Sequence, residues 1–135
     1  MVTNTYDPTP LHEAWQAVVQ QQEPPRLTID NFLDDWRRFG ESQVRQNLVR
    51  APIPDSGVPE IHRWSVFVAA LVEYLTVRDN LPTPGWVYDP KWVLDEPWFL
   101  NPYWKLRGWL LVATPPPWKR RRIFGGDETM MIGRV

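Results

Sequence analysis

Cysteine is absent from the 135 residues, which excludes disulfides, zinc–thiolate sites, iron–sulfur clusters and cysteine nucleophiles. That absence fits a reducing compartment. Long apolar runs are also lacking: the longest, such as Val66 to Val72, fall far short of the roughly 20 residues of a membrane span. The N-terminus, Met1 to Asp7, has no basic region followed by an apolar run, so no secretory signal is visible and the cytoplasm is the expected location. Only two histidines are present, His12 and His62, and neither sits in a metal-binding or catalytic spacing such as HExxH. No glycine-rich loop leads into a lysine and a helix, because Gly125-Gly126 is followed by Asp127; a phosphate cradle is therefore not expected.

Alternating strand patterns are lacking too, which leaves helices as the main elements. The expected fold is all-α: a single-domain helical protein with a central helix and several short, proline-initiated helices. The N-terminal helix and arm are assigned to residues 1–27, the core to 28–124 and a tail, or a single short strand, to 125–135. The spacing of Leu11, Trp15, Val18 and Val19 predicts a helix over Leu11 to Gln22, ended by Pro24-Pro25. A second is predicted from Thr28, as its cap, to about Val49, with Gly40 as a kink or division. The strongest helix signal runs from Pro59 to Arg78. Ile61, Trp64, Val68, Leu71 and Leu75 form one stripe, and Phe67, Val72 and Tyr74 widen it, which implies burial on more than one side. Asp79-Asn80 reads as a left-handed stop before Pro82.

What is abundant is tryptophan and proline, nine and fifteen residues. A buried aromatic removes roughly 150–250 Å² from water, and nine exceed what a small core encloses, so several are expected at an interface. Beyond Leu81 the two residue types alternate, as in Pro84-Gly85-Trp86, Pro90-Lys91-Trp92, Pro97-Trp98, Pro102-Tyr103-Trp104 and Pro117-Trp118. Trp86, Trp92, Trp98 and Trp104 fall six apart, but a hexapeptide solenoid needs more copies and an aliphatic pattern. Short helices explain the texture better. Asp89-Pro90, Glu96-Pro97 and Asn101-Pro102 place a polar residue before a proline at the first helical position. A longer helix is predicted over Tyr103 to Val112, and another short one after Thr114-Pro115.

Charge is divided unevenly. Residues 1–100 hold 14 acids and 8 bases, net −6, whereas residues 101–135 hold 7 bases and 2 acids, net +5. Lys119-Arg120-Arg121-Arg122 is the one run of like charge. It reads as a solvated helix end, as a docking point for an acidic protein surface, or as a phosphate-binding segment on which Trp118 stacks a base. Phosphate binding through all four cations gives a log–log salt slope of about −3 for single strands. The acid pairs Asp34-Asp35 and Asp95-Glu96 read as a solvated helix face and a capping site, since sequence neighbours on a helix point apart.

Residues 81–124 carry a further signal: Leu81-Pro82-Thr83-Pro84-Gly85-Trp86-Val87, Asp89-Pro90, Leu94-Asp95-Glu96-Pro97-Trp98-Phe99, Leu106-Arg107, Leu110-Leu111-Val112-Ala113-Thr114-Pro115 and Arg120-Arg121-Arg122-Ile123-Phe124. In this order, and with the preceding helix from Trp64 to Arg78, they resemble the C-terminal module of a bacterial family of antitoxin-like proteins. Members often carry a Cro/repressor-like helix-turn-helix head and are encoded beside nucleotidyltransferase-like toxins. The resemblance spans under half of the chain. Only 58 residues precede Pro59, without a clear helix-turn-helix, so the resemblance implies a stand-alone, partner-recognising module.

The resulting expectation is a protein with no catalytic residues, no metal and no cofactor, which binds a protein partner: a toxin-like neighbour or a second copy. The expected contacts are Trp118, Arg120, Arg121 and Arg122, with Trp86, Trp92 and Trp98 either in the core or lining the contact. Single-stranded nucleic-acid binding by the same segment is the alternative, and a structural or assembly subunit the third reading.

Overall fold

A computed structural model describes residues 7–101 and 103–133 of the chain. Among them are seven α-helices and one two-residue parallel strand pair, so the protein is a mostly helical, small single domain. The expectations for Met1 to Tyr6, for Pro102 as a helix opener and for the last two residues lie outside the described residues.

The organising element is α4, Pro59–Arg78. Pro59 occupies its first position, where its missing N–H costs nothing, and Asn80 leaves it in the left-handed region at φ 58°. The wide apolar stripe has the expected consequence: residues 65–73 are all buried. Helices α1, Leu11–Val19, and α2, Pro25–Arg38, pack on the N-terminal side of the fold with α3, Ser42–Val49. Leu11, Trp15 and Val18 of α1 are buried, so this helix belongs to the core. α1 ends at Val19 and not at Gln22, closed by Gln21 in the left-handed region at φ 60°, whose neighbour Gln22 donates back to the Ala17 carbonyl; Pro24-Pro25 instead opens α2, with Pro25 at its first position. Thr28 therefore lies inside the first turn instead of capping it, and its hydroxyl donates to Glu23 Oε1 at 2.6 Å. Residues 39–41 around Gly40 separate α2 from α3.

Indole N–H groups pin these segments to one another. Trp15 Nε1 donates to Ser65 Oγ of α4 at 2.9 Å, and Trp36 Nε1 of α2 donates to Asp79 Oδ2 at 2.7 Å. Trp86 Nε1 donates to the Val49 carbonyl at 2.9 Å. Arg45 of α3 completes the second junction, donating to the Trp36 carbonyl and lying 3.3 Å from Asp79 Oδ2.

Beyond α4 the chain is irregular but closely packed. Gly85–Tyr88 and Pro90–Trp92 form 3-10 turns, the second capped by Asp89, whose Oδ1 accepts from the Lys91 N–H at 3.1 Å. Glu96-Pro97 does not open a helix. The backbone there enters strand β1, Trp98–Phe99, which pairs in parallel with β2, Ile123–Phe124, in the register Trp98 to Ile123 and Phe99 to Phe124. The helix predicted over Tyr103 to Val112 is divided into a 3-10 turn, Trp104–Leu106, and α5, Arg107–Ala113. A four-residue helix, α6, Pro116–Lys119, follows Pro115. The segment read as a tail contains α7, Glu128–Ile132, capped by Asp127 and burying Met131 and Ile132. Gly125 lets this helix close: a Cβ there would collide with Met131 Sδ and Leu100 Cδ1.

Burial alone would raise the Asp79 carboxyl. Hydrogen bonds from Arg78 and Trp36 and the charges of Arg78 and Arg45 outweigh it and hold the group below the usual carboxylate range. A carboxyl lowered on folding contributes stability above its unfolded value of about 3.9 and loses it as pH falls towards the folded value. Urea unfolding midpoints measured at decreasing pH through the carboxylate range should fall more steeply for the wild type than for Asp79→Asn; parallel declines would show that Asp79 carries none of the acid sensitivity.

Candidate partner-binding surface

The basic run meets an acid from within the core. Glu73 lies on α4, and its side chain is 4% exposed. Arg121 NH1 donates to Glu73 Oε1 at 2.6 Å, and its other donors reach the Pro117 and Val87 carbonyls at 2.7 and 2.8 Å. Arg120 NH2 donates to Glu73 Oε2 from a side chain that stays exposed, and Tyr88 Oη donates to the same oxygen at 3.4 Å. A carboxylate taken out of water is tolerable only when paired and hydrogen-bonded, and two guanidinium groups meet that requirement here.

The backbone of the run is held as well. The Leu94 N–H donates to the Arg121 carbonyl at 3.2 Å, Trp98 N–H to Arg122 at 2.8 Å, and Leu100 N–H to Phe124 at 3.0 Å. Arg122 adopts φ 68° and sends NH1 to the Asp95 carbonyl at 2.6 Å. Lys119 Nζ donates to the Val112 carbonyl at 3.1 Å. Lys119 to Arg122 is thus a structural joint, and the expectation of a free docking segment is corrected on that ground: local sequence shows four cations, while the fold gives each a partner.

Trp118, expected to anchor a partner, is fully buried, with ring centroids 5.6 Å from Phe67 and 5.1 Å from Tyr74. It is a core residue. Trp92 is fully buried as well, stacked on the His62 ring at 6.1 Å and edge-on to Trp86 at 6.4 Å. Trp86 and Trp98 are half-buried. Trp98 meets Trp64 edge-on at 5.0 Å, and the Arg63 guanidinium sits 4.8 Å above its ring. The structure therefore packs Trp92, Trp118 and Arg121 along α4, from His62 to Glu73, and leaves Arg120, Arg122 and part of Trp86 and Trp98 on the surface.

His62 has an acidic companion that the sequence reading missed. Its Nδ1 lies 2.8 and 3.1 Å from the two oxygens of Asp55, at the edge of an open cleft of about 560 Å³ shared with Arg63, Lys91 and Glu96. Among the described residues no other side chain hydrogen-bonds this ring, and no group of three or more His, Cys, Asp and Glu side chains is placed to hold a metal ion. No helix among them is long and apolar enough to cross a membrane.

The surface that stands out was read as an ordinary helix. Of the twelve exposed large hydrophobic residues among the described residues, six fall in the ten positions 103–112: Tyr103, Trp104, Leu106, Trp109, Leu111 and Val112. Trp104 and Val112 are 71% and 78% exposed. Single exposed apolar groups need no explanation, but a contiguous cluster does. The base of this arm is fixed. Leu110 is fully buried, Thr114 Oγ1 donates to the Leu110 carbonyl at 2.6 Å and accepts from the Gly126 N–H at 3.1 Å, and the Arg107 guanidinium lies 4.7 Å above the Phe99 ring. No acid occurs between Glu96 and Asp127, so the arm's own charges, Lys105 and Arg107, are both positive.

Glu73→Gln should leave Arg121 buried without its counter-charge, and breaking such a pair costs about 3–5 kcal/mol. Replacing both partners, Glu73→Leu with Arg121→Met, should cost less than Glu73→Gln alone. Urea denaturation of the wild type and these two variants checks this, and a double variant as unstable as Glu73→Gln, or less stable, would overturn it.

No protein-family model, curated protein or solved structure matches this chain, and the functional reading is built on the arm itself.

Proposed function

We propose that the chain is a non-enzymatic protein-binding module of the cytoplasm, and that its contact surface is the 103–112 arm. The observation that carries this reading is the concentration of exposed aromatic and aliphatic side chains on one anchored arm. Interfaces are enriched in tryptophan, tyrosine and arginine at their centres, and the arm presents Tyr103, Trp104, Trp109 and Arg107 together. The partner class follows from the resemblance of residues 64–124 to antitoxin modules: a nucleotidyltransferase-type toxin. In this reading the site of contact moves from Trp118 and Arg120 to Arg122, which are committed to the core and its joint, to the arm next to them.

Co-expression with the product of the adjacent gene tests the reading. The wild-type chain should relieve the growth arrest that this product causes and should co-purify with it. Trp104→Ala and Trp109→Ala should each weaken the complex by about 2 kcal/mol or more while leaving thermal unfolding of the free chain near the wild-type value. An adjacent product that causes no arrest, or an arrest that the wild type does not relieve, removes the toxin assignment.

Exposed Tyr103, Trp104 and Trp109 beside Lys105 and Arg107 also favour, as a second reading, stacking of single-stranded bases on the arm. Two phosphates at about 0.7 each give a log–log salt slope of about −1.4, distinct from the slope of about −3 for a free four-cation segment. Oligonucleotide titrations at several salt concentrations separate the two. No measurable binding at low salt leaves the protein-binding reading standing.

A further inference from the structure

Gly108 sits near the middle of the arm, inside α5. A Cβ built on it meets nothing within 4 Å, and its φ is not positive. The fold gives no packing or conformational reason for glycine at this position, the second of the seven residues of α5, although glycine loses more backbone freedom on folding than any other residue. On the helix surface its neighbours three and four residues on are Leu111 and Val112, and both are exposed. Leu110 points the other way, into the core. Gly108 is therefore a notch in an apolar, outward face.

We propose that the partner seats an apolar groove, edged with Asp and Glu side chains, over this face, with its closest approach at Gly108. This rests on the protein-binding reading and names the chemistry of the partner's surface. A notch flanked by aliphatic groups admits another backbone or a ring at a distance that any side chain would block, as small residues do wherever helices approach closely. The acidic edge follows from charge. Between Glu96 and Asp127 the chain has six cations and no acid. Arg120 and Arg121 share the single charge of Glu73, and Lys119 and Arg122 donate to backbone carbonyls, so the surroundings of the arm stay net positive. Lys105 makes no hydrogen bond or ion pair among the described residues, and Arg107 is engaged only with the Phe99 ring. Complementary charge steers encounter and fixes register, so carboxylates belong opposite these two.

Other occupants fit less well. In a two-fold dimer each arm meets the same patch on its copy, which sets Lys105 and Arg107 against themselves. Bases stack on Tyr103, Trp104 and Trp109 but gain nothing from Leu106, Leu111 and Val112, and residues 1–100 carry net −6, which opposes a polyanion.

The test uses the full chain and two labelled amphipathic peptides of roughly 20 residues. They share one Leu/Ala face, edged in one peptide by Glu and in the other by Lys. Fluorescence anisotropy should show the Glu-edged peptide binding at least about tenfold more tightly than the Lys-edged one. Gly108→Leu should reduce that binding by at least about tenfold while the melting temperature stays or rises, since leucine is the better helix former. Lys105→Glu, which leaves Arg107 as the opposing charge, should abolish the preference between the peptides, with no change in melting. The proposal is overturned if neither peptide binds, if the Lys-edged peptide binds as well, or if Gly108→Leu binds like the wild type. It is also overturned if oligothymidylate or phosphatidylserine vesicles bind more tightly than the Glu-edged peptide, or if sedimentation shows a dimer that Gly108→Leu dissociates. The peptides are independent of any toxin. Failure to relieve growth arrest with peptide binding intact removes the toxin assignment alone, and the converse result removes the acidic groove alone.

Discussion

A carboxylate set into an apolar helix has to be neutralised before that helix can be surrounded. Glu73 is the only acid between Glu60 and Asp79, and the helix around it has no solvent face from residue 65 to residue 73. Its partners come from a point 47 and 48 residues further along the chain. The segment from Leu81 to Lys119 must therefore return to α4, and its prolines and 3-10 turns are the means of return. Because Arg121 also binds the Pro117 and Val87 carbonyls, one guanidinium ties α6, the first 3-10 turn and α4 together. An apolar pair of the same volume fills space equally well, but directs no donors at carbonyls on two other segments. The ion pair specifies where the irregular half of the chain lies more than it adds net stability.

Tryptophan does similar work with a neutral group. Trp15, Trp36 and Trp86 each bury a large ring and direct an N–H to a different element. In each case packing and a directional bond select the same arrangement. Trp92 and Trp118 differ, since their buried Nε1 atoms have no hydrogen-bond partner among the described residues; they act by ring packing, Trp118 against Phe67 and Tyr74 and Trp92 against His62 and Trp86. The aromatic surplus of the sequence is thus largely a scaffold for a chain with few long helices outside α4, and only Trp104 and Trp109 stand exposed.

Features set by local chemistry were legible in the sequence. Pro59 and Asn80 mark α4 because a fixed φ suits a first turn and asparagine tolerates the left-handed region. Gly40 falls between α2 and α3 as the sequence suggests. Features set by distant partners were not legible. Pro24-Pro25 begins a helix and does not end one, since α1 already stops at Val19, and only the burial of Thr28, Ile29 and Phe32 shows where the second begins. The strand pair is two residues long on each side and leaves no period to detect. The basic run reads as surface because four adjacent cations are surface in most contexts. The signal that points elsewhere is Glu73, isolated in an apolar helix and in need of a cation. The arm was missed because residues 103–112 read only as a helix, and no local signal shows that Leu110 alone of its large apolar residues turns inward.

The joint and the arm are physically continuous. Arg120 and Arg121 fix α6 against α4, Lys119 reaches back to the Val112 carbonyl at the end of α5, and Thr114 ties the Leu110 carbonyl to the Gly126 N–H. The C-terminal base of the arm is thereby held in one orientation before any partner arrives. Binding costs entropy in proportion to what must be ordered, and an arm whose helix is already formed, with aromatic side chains that have few rotatable bonds, has little left to order. A buried ion pair that contributes little net stability can therefore still favour association, because the surface it holds in place is the one on which apolar groups are exposed.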